Sequence, residues 1–174
     1  MSIIFMRPAI KKDIDQILEI IKNAKSFLAS KNIDQWQINY PNDDVVTKDI
    51  MDKVGYVLQV DGNVAGYAVI NYGHDNNYAN IYNGEWSNNN NEYVTIHRFA
   101  ISDKYRGQGL SQKFISQIFS HVYLLGHSDI RIDTHEKNEL MQKVILGNGF
   151  QKRGSVTINE DGNEVHRFAY QINL

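Results

Sequence analysis

Cysteine is absent from this sequence of 174 residues. The chain can therefore form no disulfide, offers no thiolate to a metal and has no cysteine nucleophile, so an acyl group cannot pass through a cysteinyl intermediate. Most of the histidines also lack the spacing of metal ligands, and together these absences predict a protein without a metal site. The scattered histidines are His121, His127, His135 and His166.

Long apolar runs and a strong charge of one sign are also missing. No apolar run approaches the roughly 20 residues of a membrane span. The first residues, MSIIFMRPAIKKD, lack the apolar stretch and the cleavage site of a signal peptide. We therefore expect a cytoplasmic protein that does not bind a membrane. The 18 basic and 20 acidic residues leave a net charge of −2, which argues against nucleic acid as a partner.

The apolar pattern of the first half predicts both helices and strands. A chain of 174 residues is long enough for one sizeable core and short for two, so we expect one domain. Apolar residues recur every three or four positions from Ile10 to Leu28, as in an amphipathic helix. The other predicted elements are a strand from Ile3 to Met6, a helix capped by Asn42 or Asp43, and a hairpin of Tyr56 to Val60 and Val64 to Tyr72 around Asp61-Gly62-Asn63.

The second half alternates strands and helices after a long polar segment. From Gly73 to Glu92 the chain is rich in Asn, Gly and Tyr, and we expect a connection without a core element. The elements that follow are a strand from Tyr93 to Ile101, a helix from Leu110 to Leu125, a strand from Ile130 to Asp133, a helix from Asn138 to Leu146, and a closing hairpin of Phe150 to Ile158 and Glu164 to Ile172 around Asp161-Gly162. This order predicts an α/β (α+β) fold with a mixed, mostly antiparallel sheet of about seven strands.

The segment YRGQGLS, residues 105–111, lies between a predicted buried strand and an amphipathic helix. Its glycines let the backbone approach a ligand closely, and the free amides of the first helical turn favour an anion. Arg106 adds a cation suited to phosphate oxygens, so a diphosphate would fit. A loop that only caps a helix is the alternative. The triphosphate-binding loop is excluded because no Gly-Lys-Ser/Thr follows, and a dinucleotide fingerprint would need a third glycine.

These residues resemble the GNAT superfamily of acyl-CoA-dependent N-acetyltransferases. The family's diphosphate loop has the form Arg/Gln-x-x-Gly-x-Gly/Ala, and Arg106, Gly109 and Ser111 stand at its positions, with serine as a departure at the last. YVTIHRFAIS is similar to the family's fourth strand, and RPAIKKDIDQILEI to its opening strand and helix. Asn138, Met141 and the Gly149-Phe150 pair match its later helix and the start of the next strand.

The resemblance implies one N-acetyltransferase domain over residues 1–174, with helices on both faces of its sheet. It implies that acetyl-CoA, as acyl donor, gives its acetyl group to a primary amine by direct attack in a ternary complex, without a metal. The acceptor would be a small-molecule amine or a peptide. The residues expected to contact acetyl-CoA are Phe99, Ala100, Ile101, Arg106, Gly107, Gln108, Gly109, Leu110, Ser111, Asn138 and Met141.

Catalysis needs a base, because an amine with a pKa near ~10 is protonated at neutral pH. His97 is the first candidate, with a purely structural histidine as the alternative; Glu85 and Glu136 are further candidates, or solvated surface charges. In many members of the family a tyrosine seven residues after the helix Asn protonates the leaving thiolate. Ile145 stands there, so the resemblance leaves this role to Tyr123, to water or to an unprotonated thiolate.

The acceptor is expected to bind between the first two helices and the segment 73–92. Aromatic side chains there could stack on an apolar or cationic acceptor, and the candidates are Trp36, Tyr40, Tyr82 and Trp86. For Trp36 a structural role is the alternative. Loss of the acid at Ile145 leaves a second hypothesis, a catalytically weak acyl-CoA-binding sensor or interaction module. A strand edge or the closing hairpin is a candidate surface for a homodimer.

Overall fold

A mixed β-sheet runs through the computed structural model, which describes residues 1–88, 92–160 and 162–174. In these residues the sheet has eight strands in the order β1-β2-β3-β5-β6-β8-β7-β4, and β5 and β6 form its parallel pair. This confirms the predicted mixed, mostly antiparallel sheet. The strands are β1 (Ile4–Pro8), β2 (Gly55–Val60), β3 (Asn63–Tyr72), β4 (Ile81–Tyr82), β5 (Val94–Ile101), β6 (Asp129–Thr134), β7 (Gln151–Glu160) and β8 (Asn163–Asn173).

Four α-helices cover the two faces of the sheet in the described part of the chain. They are α1 (Ile14–Ser30), α2 (Asp43–Met51), α3 (Leu110–Leu124) and α4 (Glu139–Gly147). A 3-10 turn at Lys11–Asp13 precedes α1. The predicted cap of α2 is confirmed, because the side chain of Asn42 accepts a hydrogen bond of 3.0 Å from the amide of Val45.

The core has two parts, one on each face of the sheet. Side chains alternate along β3, so that Tyr67 and Val69 pack under α1 while Ala68 and Ile70 pack under α3. All four of these side chains are fully buried. Helices therefore lie on both faces of the sheet, as expected. The sheet gives rigid support to the side chains of β5 and β6.

The segment 73–88 differs from the prediction, because it contributes to the core. Tyr78 is 1% exposed, and the ring of Trp86 stacks on it with the ring centres 5.7 Å apart. The added strand β4 pairs with β7. Isolated aromatic residues in a polar sequence show no periodicity, so their burial leaves no pattern to detect. Asn89–Asn91 of the asparagine run and Asp161 of the predicted closing turn lie outside the described residues.

Strands β5 and β6 are paired only over their first halves. Val94, Thr95 and Ile96 pair with Ile130, Arg131 and Ile132, and beyond them the strands separate. There β5 stays with β3, while β6 stays with β8. The register of β3 and β5 shifts between Tyr67 and Val69, and Arg98 sits in this bulge with a positive φ of 52°. The separation opens the sheet at its centre.

Candidate active site

A cavity of about 900 Å³ occupies the gap between β5 and β6. One half is lined by Phe99, Ala100 and Ile101 of β5, by the loop before α3 and by α4. The other half is lined by the loop after α1, the segment 73–88 and the end of β7, while α1 also reaches the loop before α3, where Arg106 lies over the ring of Phe27. A volume of this size is within the range of small-molecule and cofactor sites. The two halves meet at the point where the strands separate.

The loop before α3 presents unpaired backbone amides to the first half. Gly109 precedes the helix with φ 67°, and Gly107 has φ 76°, a conformation that other residues adopt only with strain. In the described residues, the amides of Gly107, Gly109 and the first three residues of α3 donate to no protein group. A row of free amides at the positive end of a helix dipole can bind an anion. Exposed Arg106 stands beside them.

The second half is built around His97. Its Nε2 lies 2.9 Å from a carboxylate oxygen of Asp75, and its Nδ1 lies 4.0 Å from Asp133 Oδ1. Tyr78 donates its hydroxyl to the same Asp133 oxygen at 2.5 Å. Asp75 comes from the segment 73–88 and Asp133 from the end of β6, so three separate parts of the chain place two carboxylates on either side of one imidazole.

The pKa values of the two carboxyl groups are shifted in opposite directions. Burial raises the pKa of Asp133 above its ordinary value, and the neighbouring His97, the hydrogen bond from Tyr78 and the cation of Arg167 oppose this only in part. Burial also acts to raise the pKa of Asp75, but hydrogen bonds from His97 and Asn77 outweigh it and hold this pKa below the ordinary value. Burial raises the pKa of Tyr78 strongly, so this phenol is neutral. Asp75 is thus the firmer anion of the two.

A buried ion pair holds the bulge next to His97. The guanidinium of Arg98 donates to both carboxylate oxygens of Asp49 in α2, from Nε at 2.9 Å and from Nη2 at 2.7 Å. Tyr67 donates its hydroxyl to Asp49 at 2.8 Å, and Tyr40 accepts a hydrogen bond from Arg98 Nη1. This network ties α2 and β3 to the bulged residue, and so fixes the direction in which β5 leaves its neighbour.

The match to a family model decides the family. Residues 16–150 match the model of the acetyltransferase (GNAT) family. The chain belongs to the GNAT family of acetyltransferases. The resemblance seen in the sequence is confirmed, and so is the fold, because solved structures of GNAT acetyltransferases superimpose on nearly the whole chain. No curated protein matches the chain significantly in sequence.

Three solved structures show how far the GNAT likeness extends. An acetyltransferase of the GNAT family from Streptococcus agalactiae 2603 is 38% identical, with 98% of this chain and 95% of that chain covered and a TM-score of 0.89. One from Listeria monocytogenes 4b F2365 is 20% identical over 98% and 95%, with a TM-score of 0.71. A Salmonella typhimurium protein described as a candidate acetyltransferase, solved with its cofactor acetyl-CoA, is 17% identical over 98% and 94%, with a TM-score of 0.67.

Most residues expected to contact acetyl-CoA line the cavity of this GNAT protein. Gln108 is exposed and does not line it. Asn138 lines the cavity, but its side chain accepts the amide of Met141 at 3.2 Å and donates to Gln35 at 3.2 Å, so it also caps α4. The residues that do line the cavity are Phe99, Ala100, Ile101, Arg106, Gly107, Gly109, Leu110, Ser111, Asn138 and Met141.

The expected catalytic and acceptor residues are only partly brought together. His97, Trp36 and Tyr40 line the cavity. The other candidates lie apart from it: Glu85 is exposed, Glu136 is on the loop after β6, Tyr82 is half exposed on β4, Trp86 packs on Tyr78, and Tyr123 is 64% exposed on α3. Ile145, a residue of α4, is fully buried in the core that also contains the apolar side chains of α3.

Sequence reasoning missed Asp75, Asp133, Tyr78, Asp49 and Arg98. Asp133 carried one usable signal, since it is an acidic residue at the end of a predicted strand of mostly apolar β-formers. Asp75 and Tyr78 lie in a segment whose composition predicted no core. Within the described ranges the structure has no cluster of His, Asp and Glu that could hold a metal ion. Nor is any helix there long and apolar enough to cross a membrane.

Proposed function

We propose that this GNAT protein transfers an acetyl group from acetyl-CoA to a primary amine, and that residues 1–174 act as one domain. The observation that carries the proposal is the cavity at the β5–β6 separation. It joins a loop of free amides, suited to a diphosphate, to a histidine between two carboxylates, suited to an amine. Donor and acceptor can therefore meet inside one cavity, as direct attack in a ternary complex requires.

The residues of the first half fit acetyl-CoA. The free amides of the 105–111 loop and Arg106 would hold its diphosphate, and the unpaired edge of β5 at Phe99 to Ile101 would bond its pantetheine arm. The same fold in a Salmonella typhimurium protein solved with acetyl-CoA supports this donor. Acetyl-CoA supplies the activated acyl group as a thioester. Ser111, in place of the family's Gly or Ala, is small enough to keep the backbone accessible.

The His97 cluster would take the proton that the attacking amine must lose. With Nε2–H donated to Asp75, the lone pair of Nδ1 faces Asp133 across 4.0 Å. Asp133 Oδ2 receives no hydrogen bond within the described chain and belongs to a side chain that lines the cavity. The ammonium loses one proton to Nδ1 of His97, and the free amine attacks the carbonyl carbon. His97 thus acts as a base whose tautomer is held by Asp75.

The breakdown of the tetrahedral intermediate needs a hydrogen-bond donor to the oxyanion and the departure of the thiolate. A main-chain amide of β5 near Phe99 to Ile101 would stabilise the developing oxyanion. The C–S bond then breaks, and the second proton of the amine nitrogen passes to the thiolate, through water or unaided. A thiol pKa near ~8.5 makes the thiolate a tolerable leaving group at neutral pH. The buried Ile145 in the place of the family's tyrosine is thus compatible with turnover.

The decisive experiment measures thiol release from acetyl-CoA with a thiol-reactive dye, across polyamines, aminoglycosides, amino acids and short peptides. We expect acceptor-dependent thiol release, together with binding of acetyl-CoA by calorimetry. Failure to bind acetyl-CoA would overturn the proposal. Binding without turnover on any acceptor would support the acyl-CoA-binding sensor instead.

A further inference from the structure

The half of the cavity around His97, which we call the acceptor half, has an unbalanced set of charges. This imbalance affects which amine can bind there. This inference rests on the proposed acetyl transfer, and it concerns only which amine is accepted. The carboxylates that line this half are Asp75, Asp133 and Glu160, on three different elements. All three side chains are largely enclosed, with exposures of 17%, 9% and 16% respectively. Charges buried to this extent are costly unless they are paired.

The arginines near this half are already neutralised by carboxylates. Arg98 is bound by both oxygens of Asp49, at 2.9 and 2.7 Å. Arg167, whose side chain is 2% exposed, pairs with Glu160 at 3.0 Å. Among the described residues that line the cavity, the arginines are Arg98 and Arg106, and Arg106 belongs to the diphosphate loop. A carboxylate on an acceptor would therefore find no unpaired arginine in the acceptor half.

Among the described residues, two carboxylates of this half have no arginine or lysine within ion-pair distance. Asp75 and Asp133 flank His97, and a histidine that is to accept a proton must be neutral before the reaction. Asp133 Oδ2 accepts no hydrogen bond from a described residue, although nine-tenths of the side chain is buried. When both carboxyl groups are ionised, this half holds two negative charges, and one ammonium group would balance only one of them.

We infer that the acceptor is an alkyl amine that carries a second cationic group and no carboxylate, as a linear diamine does. The reacting ammonium lies beside Asp133, and the second cation balances the remaining carboxylate. The indole of Trp36, the ring of Tyr40 and the side chain of Ile158 provide an apolar wall for the alkyl chain. After the reacting nitrogen gives its proton to His97, the imidazolium and the second cation still balance Asp75 and Asp133.

Three amines that share a chain of similar length separate the elements of this inference. Putrescine has two cations and no carboxylate, butylamine lacks the second cation, and ornithine adds a carboxylate to the diamine. We expect kcat/KM for putrescine to exceed that for each of the others by about tenfold or more, because each mismatch leaves one enclosed charge unpaired. Equal or better acetylation of butylamine would show that the site does not require a second cation. Equal or better acetylation of ornithine would show that the site does not exclude carboxylates.

A substitution at Glu160 tests the same charge balance from the side of the protein. In Glu160→Gln the cation of Arg167 loses its partner, so the preference for putrescine over ornithine should shrink at least threefold. Glu164→Gln is the matched control, because Glu164 is exposed on the closing hairpin and does not line the cavity. A preference that is unchanged in Glu160→Gln would contradict the assignment. The comparison of amines in the unmodified protein stands even if this variant folds poorly.

Calorimetry separates failure of this inference from failure of the proposed function. The three amines are titrated into the protein saturated with CoA, so that binding is ranked without turnover. Putrescine binding at least tenfold more tightly than both others supports the inference. Tighter or equal binding of butylamine or ornithine overturns it, while acetyl-CoA binding and thiol release stay as proposed. A protein that binds neither acetyl-CoA nor CoA refutes the proposed function itself.

Discussion

The Nε2 of His97 lies 2.9 Å from a carboxylate oxygen of Asp75. The two residues are 22 positions apart, His97 in the central strand β5 and Asp75 in the segment 73–88. Asp75 itself is held by the amide of Asn77, which donates to its Oδ1 at 2.9 Å. The carboxylate is thus positioned to hold the imidazole in one orientation and one tautomer, as an orienting acid does for a catalytic base.

Replacement of Asp75 tests this role. Asp75→Asn should lower kcat by about 10²-fold with a smaller effect on the KM for acetyl-CoA, because proton transfer to a misoriented imidazole is slowed. Asp44→Asn, in the exposed first turn of α2, is the control and should leave kcat unchanged. Steady-state kinetics on one acceptor measure both. An unchanged kcat in Asp75→Asn would indicate that His97 has only a structural role.

The buried ion pair under the bulge should be essential for stability. Asp49→Asn leaves the guanidinium of Arg98 without its bidentate partner, and we expect a loss of about 3–5 kcal/mol in the free energy of unfolding, measured by urea denaturation. Asp52→Asn breaks the exposed Lys48–Asp52 pair one turn away and should have no comparable effect. Similar losses in the two variants would show that the Asp49–Arg98 pair is not special.

Charge reversal in the diphosphate loop tests binding of the donor. Arg106→Glu should raise the Kd for acetyl-CoA by roughly 10–100-fold, because a charge-assisted hydrogen bond is lost and an anion faces the diphosphate. Lys104→Glu changes an equally exposed cation two residues earlier, one that pairs with Glu19 outside the loop. Calorimetry measures the Kd for acetyl-CoA of both variants. An unaltered Kd for Arg106→Glu would refute the loop assignment.

Asp133 should make stability depend on pH in a characteristic direction. Its pKa is raised by burial, so its favourable contribution is complete below the ordinary carboxyl pKa and is lost as the pH rises through the raised value. Asp133→Asn should therefore be more stable than the unmodified protein at neutral pH, and the difference should disappear in acid, while acetylation is lost. Thermal unfolding from pH 4 to pH 8 measures this. A variant that is less stable at neutral pH would contradict the buried, uncompensated carboxylate.

The segment that carries Asp75 is attached to the sheet by a close backbone contact. A Cβ at Gly84 would lie 1.8 Å from the carbonyl oxygen of Arg153, and the backbone of Gly154 is beside it. Gly84→Ala should cost about 1–3 kcal/mol through overpacking and lower activity by displacing Asp75. Gly147→Ala is the control, because a Cβ there meets nothing within 4 Å. Unchanged activity in Gly84→Ala would mean that the segment is positioned by other contacts.

Much of the fold could be predicted because its signals are local. The helical period from Ile14 to Leu28, the Asn42 cap and the glycine after Asp61 each act within a few residues of the chain. The proposed diphosphate loop belongs to the same class, since its two glycines and the helix start are local features of the chain. Strand β4 and the burial of Tyr78 were not predictable, because both depend on a distant partner, β7 for the strand and Asp133 for the tyrosine.

The sequence alone was enough to predict the family and most of the order of the elements, because these predictions depend on short-range patterns and on motif spacing. It also led to the proposal of a donor loop at residues 105–111. Only the tertiary structure decided the surroundings of His97. Asp75 and Asp133 are charged residues on unrelated elements, and their effect on the imidazole exists only at distances of 2.9 and 4.0 Å. Electrostatic interactions depend on separation in space and on burial, and neither quantity is encoded in the positions of residues along the chain.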